Sequence, residues 1–144
     1  MLNKEIYKTI EYYLYNYNDI DKKIAEVEDE LTSSISYSYN GWIKNKHRNI
    51  SAVEDQAIRI ADSKRILKLR KWKKVIYKVL EIYKKFDMQK YKYIELRYFK
   101  KYNYKQIESE YIIDASTQTR IKQEVMYYII IFAVQEGLIK NIIM

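Results

Sequence analysis

The chain has 144 residues, enough for one domain or a small domain with an appendage, and 48% of them are hydrophobic, so it can bury a core. It contains no Cys, which excludes disulfides and thiolate metal sites. Its net charge of +8 is uneven, because residues 1–31 carry four Lys against eight acidic side chains, whereas residues 32–144 carry 23 basic and 11 acidic ones. The basic remainder indicates either a polyanionic partner or a solubilising surface.

The scarcity of turn residues indicates the fold class. The chain has no Pro and only two Gly, too few for a β-rich fold, so we predict an all-α protein. No signal pattern opens the sequence, and no apolar run approaches the roughly 20 residues of a membrane span. We therefore expect a cytoplasmic protein that makes no membrane contact.

The first 50 residues predict an acidic helical part followed by an irregular connection. Apolar residues recur at helical spacing over 3–16 and again over 20–31, so we expect two short helices, a helical hairpin or one kinked helix. In residues 32–50, Asn40-Gly41 suits a β-hairpin turn, and a mobile loop fits equally well. His47 stands between two basic residues and is expected to be solvated rather than a ligand.

A capping box from Ser51 to Glu54 predicts the start of a long helix that ends near Phe86. Its segment 64–74 has seven basic residues in eleven, on an amphipathic background. This basic segment could contact phosphates, pair with an acidic helix such as 20–31 in the same or another copy, or face solvent.

Helix-start signals then follow in close succession. Asp87 is expected to cap a helix over 88–101, and Asn103 with Gln106 a short helix over 104–111. Asp114 should cap the last helix, which runs from Ala115 to about Glu136. A short helix, a three-residue turn and a long helix form the helix-turn-helix layout, whose second helix enters the DNA major groove. The predicted segments are 1–50, 51–86 and 87–144, the last being the DNA-binding part.

The last helix is predicted to bury one face and to present a polar one. Four-residue and three-residue steps place Thr117, Ile121, Val125, Tyr128 and Phe132 inside. Gln can bond adenine, and Arg or Lys can bond guanine or phosphate. The residues predicted to contact DNA are Ser116, Gln118, Thr119, Arg120 and Lys122, with Lys100, Lys101 and Lys105 adding contacts to phosphates. The alternative is an ordinary solvent-facing helix start.

The stretch "IELRYFKKYNYKQIESEYIIDASTQTRIKQEV…AVQEGLI" resembles region four of bacterial sigma factors. It is more closely similar to phage late-gene transcriptional activators of the RinA/ArpU type, over about residues 55–140. The matching features are "LRYF" at 96–99, Tyr104, Ile107, Asp114 with Thr117, Arg120 and "GLI" at 137–139. The resemblance implies a sequence-specific activator of phage or prophage late genes. It implies double-stranded DNA as the partner, with RNA polymerase as a further candidate.

Two positions depart from that family's pattern. Glu108 stands where a small residue is usual, and Ile112 stands in a turn that often carries Gly. Because positive φ is costly for a β-branched residue, we expect a turn of different construction or a re-angled helix pair. Thr119 and Ile121 stand where arginines are common, which predicts weaker DNA binding.

Catalytic motifs are missing from the sequence. It has no Gly-rich phosphate loop, His pair or nucleophile elbow, so we expect no enzyme, no metal and no cofactor. Two other function classes fit the pattern. One is a phage small-terminase-like packaging or assembly protein that forms a homo-oligomer through its N-terminal helices. The other is a helical protein-interaction module that uses the basic segment 64–74.

Overall fold

The computed structural model describes residues 4–31 and 49–140, apart from the side chains of 49–52. In these ranges all regular structure is helical, which confirms the all-α class. The predicted turn at Asn40-Gly41 and the environment of His47 lie outside the described residues. Among the helices that are described, none is both long and apolar enough to cross a bilayer.

The chain forms six helices in the described ranges. α1 is followed by a 3-10 turn, and α4 continues directly into a π-helical turn. In chain order the elements are α1 (Lys4–Tyr15), the 3-10 turn (Tyr17–Asp19), α2 (20–31), α3 (Asn49–Phe86), α4 (Met88–Ile94), the π turn (Glu95–Phe99), α5 (Tyr104–Tyr111) and α6 (Ala115–Gln135). The break after α1 and the limits of α5 and α6 agree with the sequence predictions.

The start of α3 differs from the prediction. The helix begins at Asn49, two residues before the Ser51 of the expected capping box, and it ends at Phe86 as expected. Ser and Glu cost little inside a helix, so a capping-box pattern does not prevent the helix from extending past it.

The structure divides into two compact units. One contains α1 and the chain from Lys71 onward, and the other contains residues Asp19–Arg70. The units therefore do not follow the predicted segments 1–50, 51–86 and 87–144. The difference arises because α1, at the start of the chain, packs against the π turn and α6 near its end.

The core of the first unit joins α1, the second half of α3, the π turn and α6. Tyr13 stacks on Trp72 with ring centroids 4.6 Å apart, and Tyr15 meets Tyr98 edge-on at 4.9 Å. The most deeply buried side chains include Ile10, Leu14, Trp72, Val75, Ile76, Tyr93, Ile94, Leu96, Tyr98, Ile107, Val125, Met126, Ile129 and Ala133. This mixed aliphatic and aromatic core fixes α5 and α6 against the rest of the unit.

The π turn ends α4 and leads into the connection to α5. The backbone N–H of Lys100 donates to the Glu95 carbonyl at 2.8 Å, and that of Tyr102 donates to Leu96 at 2.9 Å. Lys101 between them has φ 60, a left-handed conformation that reverses the chain. Single π turns are uncommon inside helices and accompany functional sites frequently.

The second unit pairs the acidic α2 with the basic first half of α3. Its buried apolar side chains are Ile20, Ile24, Val27, Ile66 and Leu69. The Glu28 carboxylate bonds the Arg70 guanidinium at 2.8 Å, so an acidic–basic pairing occurs within one chain. Both side chains are about half exposed, so this ion pair adds little to stability, and the apolar residues hold the unit.

Candidate nucleic-acid interface

Local capping builds the pair of helices α5 and α6. The Asn103 side chain accepts the backbone N–H of Gln106 at 2.9 Å, and the Gln106 side chain accepts that of Asn103 at 3.0 Å. This reciprocal capping box was predicted, and it is confirmed. α5 then packs against α6 across the three-residue connection 112–114.

The connection turns at Ile112, which occupies the left-handed region at φ 55 and ψ 46. Its N–H donates to the Glu108 carbonyl at 3.2 Å, and its side chain is 90% exposed. The turn therefore keeps the conformation that favours Gly although a β-branched residue occupies it. The first of the two expectations, a turn of different construction, is therefore wrong, and the chain carries backbone strain at this position.

Asp114 begins α6 through its backbone. Its carbonyl accepts the Gln118 N–H at 3.0 Å, whereas its side chain does not form the capping hydrogen bond that the sequence predicted. The carboxylate accepts the Ser116 hydroxyl at 2.8 Å instead. The hydroxyls of Thr117 and Ser116 hold the pKa of Asp114 below its ordinary value. An exposed negative charge therefore stands at the start of α6.

Gln118 was predicted to face DNA, and the structure contradicts this orientation. Its side chain is fully buried, and Nε2 donates to the carbonyls of Ile113 at 2.9 Å and Tyr104 at 3.2 Å. The amide thus ties the start of α5 and the connection 112–114 to α6. The buried stripe of α6 begins at Gln118 and continues through Ile121 and Val125, one residue away from the predicted start at Thr117.

The same rotation changes the later residues of the predicted inner face. Tyr128 is 39% exposed, and Met126, Ile129, Ile130 and Ala133 are buried. Thr117 and Phe132 lie at the boundary between core and solvent. The prediction was wrong at Tyr128 because packing rotates the buried stripe of α6 toward Met126, Ile129 and Ala133, which leaves Tyr128 at the exposed edge of that stripe.

Lys122, another predicted DNA contact, is held by α1. Its Nζ lies 2.7 Å from the Glu11 carboxylate and 5.5 Å from the Tyr7 ring centre, and its side chain is only 19% exposed. Burial opposes the charge, but the hydrogen bond and charge of Glu11 outweigh it, so the pKa of Lys122 is raised. Lys122 therefore joins α1 to α6, and the prediction that it reaches DNA is corrected.

Other charges of α6 are also used within the first unit. Glu124 lies 2.7 Å from the Lys90 Nζ and accepts the Tyr83 hydroxyl at 3.1 Å. Glu136, just after the helix, lies 3.0 Å from the Lys74 Nζ, which lowers its pKa. Arg120, by contrast, is exposed and makes no ion pair within the described part of the chain.

The exposed face at the start of α6 is small and polar. Its residues are exposed and lie on one side of the helix, because positions four residues apart face the same way: Ala115, Ser116, Thr119, Arg120 and Gln123. The Thr119 hydroxyl donates to the Ala115 carbonyl at 3.0 Å, which leaves its oxygen able to accept. We call this set the α6 polar face. It retains three predicted residues, and Gln123 takes the place that Gln118 was expected to hold.

Three predicted lysines precede or open α5. Lys100, Lys101 and Lys105 are all exposed. Lys100 lies 3.7 Å from the Glu95 carboxylate, whereas Lys101 and Lys105 make no ion pair within the described residues. Lys105 follows Tyr104, whose carbonyl binds Gln118, so the first turn of α5 lies beside the second turn of α6.

Arg97 supports this arrangement, and the sequence prediction missed its role. Its guanidinium donates to the Tyr102 carbonyl at 2.9 Å and lies 4.5 Å from the Tyr104 ring centre. Arg97 therefore links the π turn to the first residue of α5. The "LRYF" run marks its position, but only the fold brings its side chain to Tyr104.

No protein-family model, curated protein or solved structure was found to match this chain.

Proposed function

We propose that the protein binds double-stranded DNA sequence-specifically, with the first turns of α6 in the major groove. The α6 polar face carries this proposal, because it is exposed at the start of a helix whose opposite face is anchored by Gln118. A short helix packed across the start of a longer one is the geometry in which helix-turn-helix proteins present a reading helix. No catalytic step forms part of the proposal.

The chemistry of the α6 polar face suits contacts with base edges. Arg120 can donate two hydrogen bonds to guanine, and Gln123 can bond adenine through its amide. Ser116 and Thr119 are short enough to bond phosphates or bases beside them. Lys101 and Lys105, which make no ion pair with any described residue, supply contacts to phosphates on the flank.

Binding to a duplex selected from a random library tests the proposal. Arg120→Ala and Gln123→Ala should each weaken binding to that duplex by about 10-fold to 100-fold, the effect of losing one good base contact. The matched control is Gln135→Ala, an exposed glutamine at the far end of α6. Equal affinity for selected and random duplexes, unchanged by both test substitutions, would overturn the proposal.

Salt dependence separates contacts with phosphates from contacts with bases. Lys101→Ala and Lys105→Ala should weaken binding to selected and random duplexes alike, and each should reduce the slope of log affinity against log salt by about one. Arg120→Ala should weaken the selected duplex more than the random one. A salt slope unaltered by either lysine substitution would remove those lysines from the interface.

The regulatory part of the proposal comes from the resemblance to phage late-gene activators. We propose that the bound protein raises transcription from an adjacent promoter through contact with RNA polymerase. In a purified transcription reaction, added protein should increase the transcript from a template that carries the selected duplex upstream. Arg120→Ala should remove the increase. DNA binding without any change in transcript would contradict an activator role and leave the DNA-binding proposal intact.

A further inference from the structure

A line of exposed apolar side chains runs along the first half of α3, outside the proposed DNA interface. Val53 is 67% exposed, Ile60 51% and Leu67 55%. They are spaced by seven residues, so they form one line along the helix. The buried residues Ile66 and Leu69 lie on the opposite side of α3, so this line does not belong to the core of its own unit.

Isolated apolar residues on a protein surface are ordinary, but a seven-residue repeat is the pattern of a helix–helix seam. Ala57 lies four residues after Val53, Lys64 lies four residues after Ile60, and both are exposed. Together the five residues alternate in steps of four and three, which is the spacing of positions d and a in a coiled coil. α3 is 38 residues long and roughly 57 Å at 1.5 Å per residue, whereas α2 has only 12 residues.

The charges beside this seam select one arrangement of two helices. Glu54 and Lys68 occupy the same flanking heptad position, two heptads apart, and both are exposed without an ion pair in the described chain. A parallel pair would set each Lys64 against its own copy. An antiparallel pair instead sets position a against position d, and it brings Glu54 of each helix beside Lys68 of the other.

We propose that α3 pairs with α3 of a second copy of this chain, antiparallel, through Val53, Ala57, Ile60, Lys64 and Leu67. The two helices are related by a two-fold axis near Asp62, which sets Ile60 against the partner's Lys64 and Ala57 against the partner's Leu67. Each contact therefore occurs twice, and each Glu54 meets the partner's Lys68. A consequence that rests on the proposed function is that such a dimer binds two DNA half-sites arranged as an inverted repeat.

Sedimentation velocity of the full chain without DNA tests the pairing. The chain should form a concentration-dependent dimer, and Ile60→Lys should raise its dissociation constant by about 100-fold because two Ile side chains leave the seam. Ile58→Lys is the matched control, since Ile58 is also 51% exposed but lies away from the seam. A wild-type monomer at all concentrations would overturn the pairing, as would equal loss of dimer in both variants. Circular dichroism of both variants should match that of the wild type, so that loss of the dimer is separated from unfolding.

Charge exchange tests the orientation. Glu54→Lys and Lys68→Glu should each weaken the dimer by roughly tenfold, because each creates two like-charge pairs. The double variant should recover wild-type association, because the opposite charges then face each other again. Failure of the double variant to recover overturns the antiparallel arrangement, since in a parallel pair these residues lie far apart.

Cysteine crosslinking gives an independent measure, because the natural chain has no Cys. Ala61→Cys, beside the two-fold axis, should crosslink to its copy with a short bismaleimide, whereas Val53→Cys should not. Efficient crosslinking at position 53 would overturn the antiparallel arrangement.

A DNA titration tests the alternative that this face of α3 binds nucleic acid. If Lys68→Glu weakens DNA binding of a chain that stays monomeric throughout, the surface contacts nucleic acid and the pairing is overturned. Because the mass measurement needs no DNA, the dimer can be present even if the proposed function fails. The proposed function can likewise hold for a monomer.

Discussion

Gln118 and Lys122 show how single residues in one polar run take different roles. Both belong to the sequence 116–123, which is almost entirely polar, yet one is buried under α5 and the other is bound to Glu11 of α1. Their neighbours Thr119 and Arg120 remain exposed. Polarity alone therefore does not separate a residue that supports the α6 polar face from one that belongs to it.

Gln118→Ala should lower the free energy of unfolding by about 2–3 kcal/mol. The substitution leaves the buried carbonyl of Ile113 and the half-buried carbonyl of Tyr104 without their side-chain donor and creates a small cavity. Gln123→Ala, on the exposed face of the same helix, should change stability by less than about 0.5 kcal/mol. Urea unfolding followed by circular dichroism measures both, and equal stability of the two variants would contradict the anchoring role.

Asp114→Asn should strengthen DNA binding by about fivefold. The backbone carbonyl of residue 114, which accepts the Gln118 N–H, is kept in this variant, so the start of α6 is retained while a negative charge near the phosphates is removed. Glu108→Gln, an exposed carboxylate of α5, is the control for a general change in net charge. Anisotropy titrations at fixed salt measure the difference, and unchanged affinity would place the start of α6 away from DNA.

At the scale of the elements, the capping of α5 depends on residues close together in sequence, whereas the connection between α5 and α6 holds a strained residue. Asn103 and Gln106 were predicted to start α5 because a capping box needs only two residues three apart. The left-handed Ile112 was not predicted, because packing of α6 on α5 imposes this conformation against the local preference. A strained turn thus sets the relation between the two helices.

Ile112→Gly should raise the free energy of unfolding by about 1 kcal/mol. Gly adopts φ 55 without steric cost, and the 90% exposed Ile side chain contributes little packing to be lost. The greater freedom of Gly in the unfolded chain offsets part of the gain. Ile112→Val, which keeps β-branching, should leave stability unchanged within error. Thermal and urea unfolding compare the variants, and a destabilised Gly variant would contradict strain at this turn.

At the scale of the whole molecule, the first unit is rich in buried tyrosine. Tyr93 and Tyr98 are almost completely buried, and Tyr83 bonds Glu124. Burial raises the pKa of all three phenols above their ordinary value of 10.0, and Glu124 raises that of Tyr83 further. The core is therefore compatible only with neutral phenols.

The protein should unfold cooperatively at alkaline pH. A folded pKa above the unfolded one means that this contribution to stability is complete below pH 10.0 and is lost as pH rises above it. Tyrosinate absorbance at high pH should rise first from exposed tyrosines and then in a step that coincides with loss of helix. Tyr77→Phe, an exposed ring, should leave that step unchanged. Full ionisation of every tyrosine with the helices intact would contradict the prediction.

Residue order by itself determined the helical class, the break after α1, the limits of α5 and α6 and the capping of α5. These features depend on periodicity and on residues within one turn of each other, so they are readable along the chain. Only the tertiary structure decided the division into units, the rotation of the α6 core stripe and the internal roles of Gln118, Lys122 and Arg97. Each of these depends on elements far apart in sequence, because α1 closes onto α6 and the π turn onto α5. The burial of a side chain depends on the elements that pack against it, and the periodicity of a single helix carries no information about those elements.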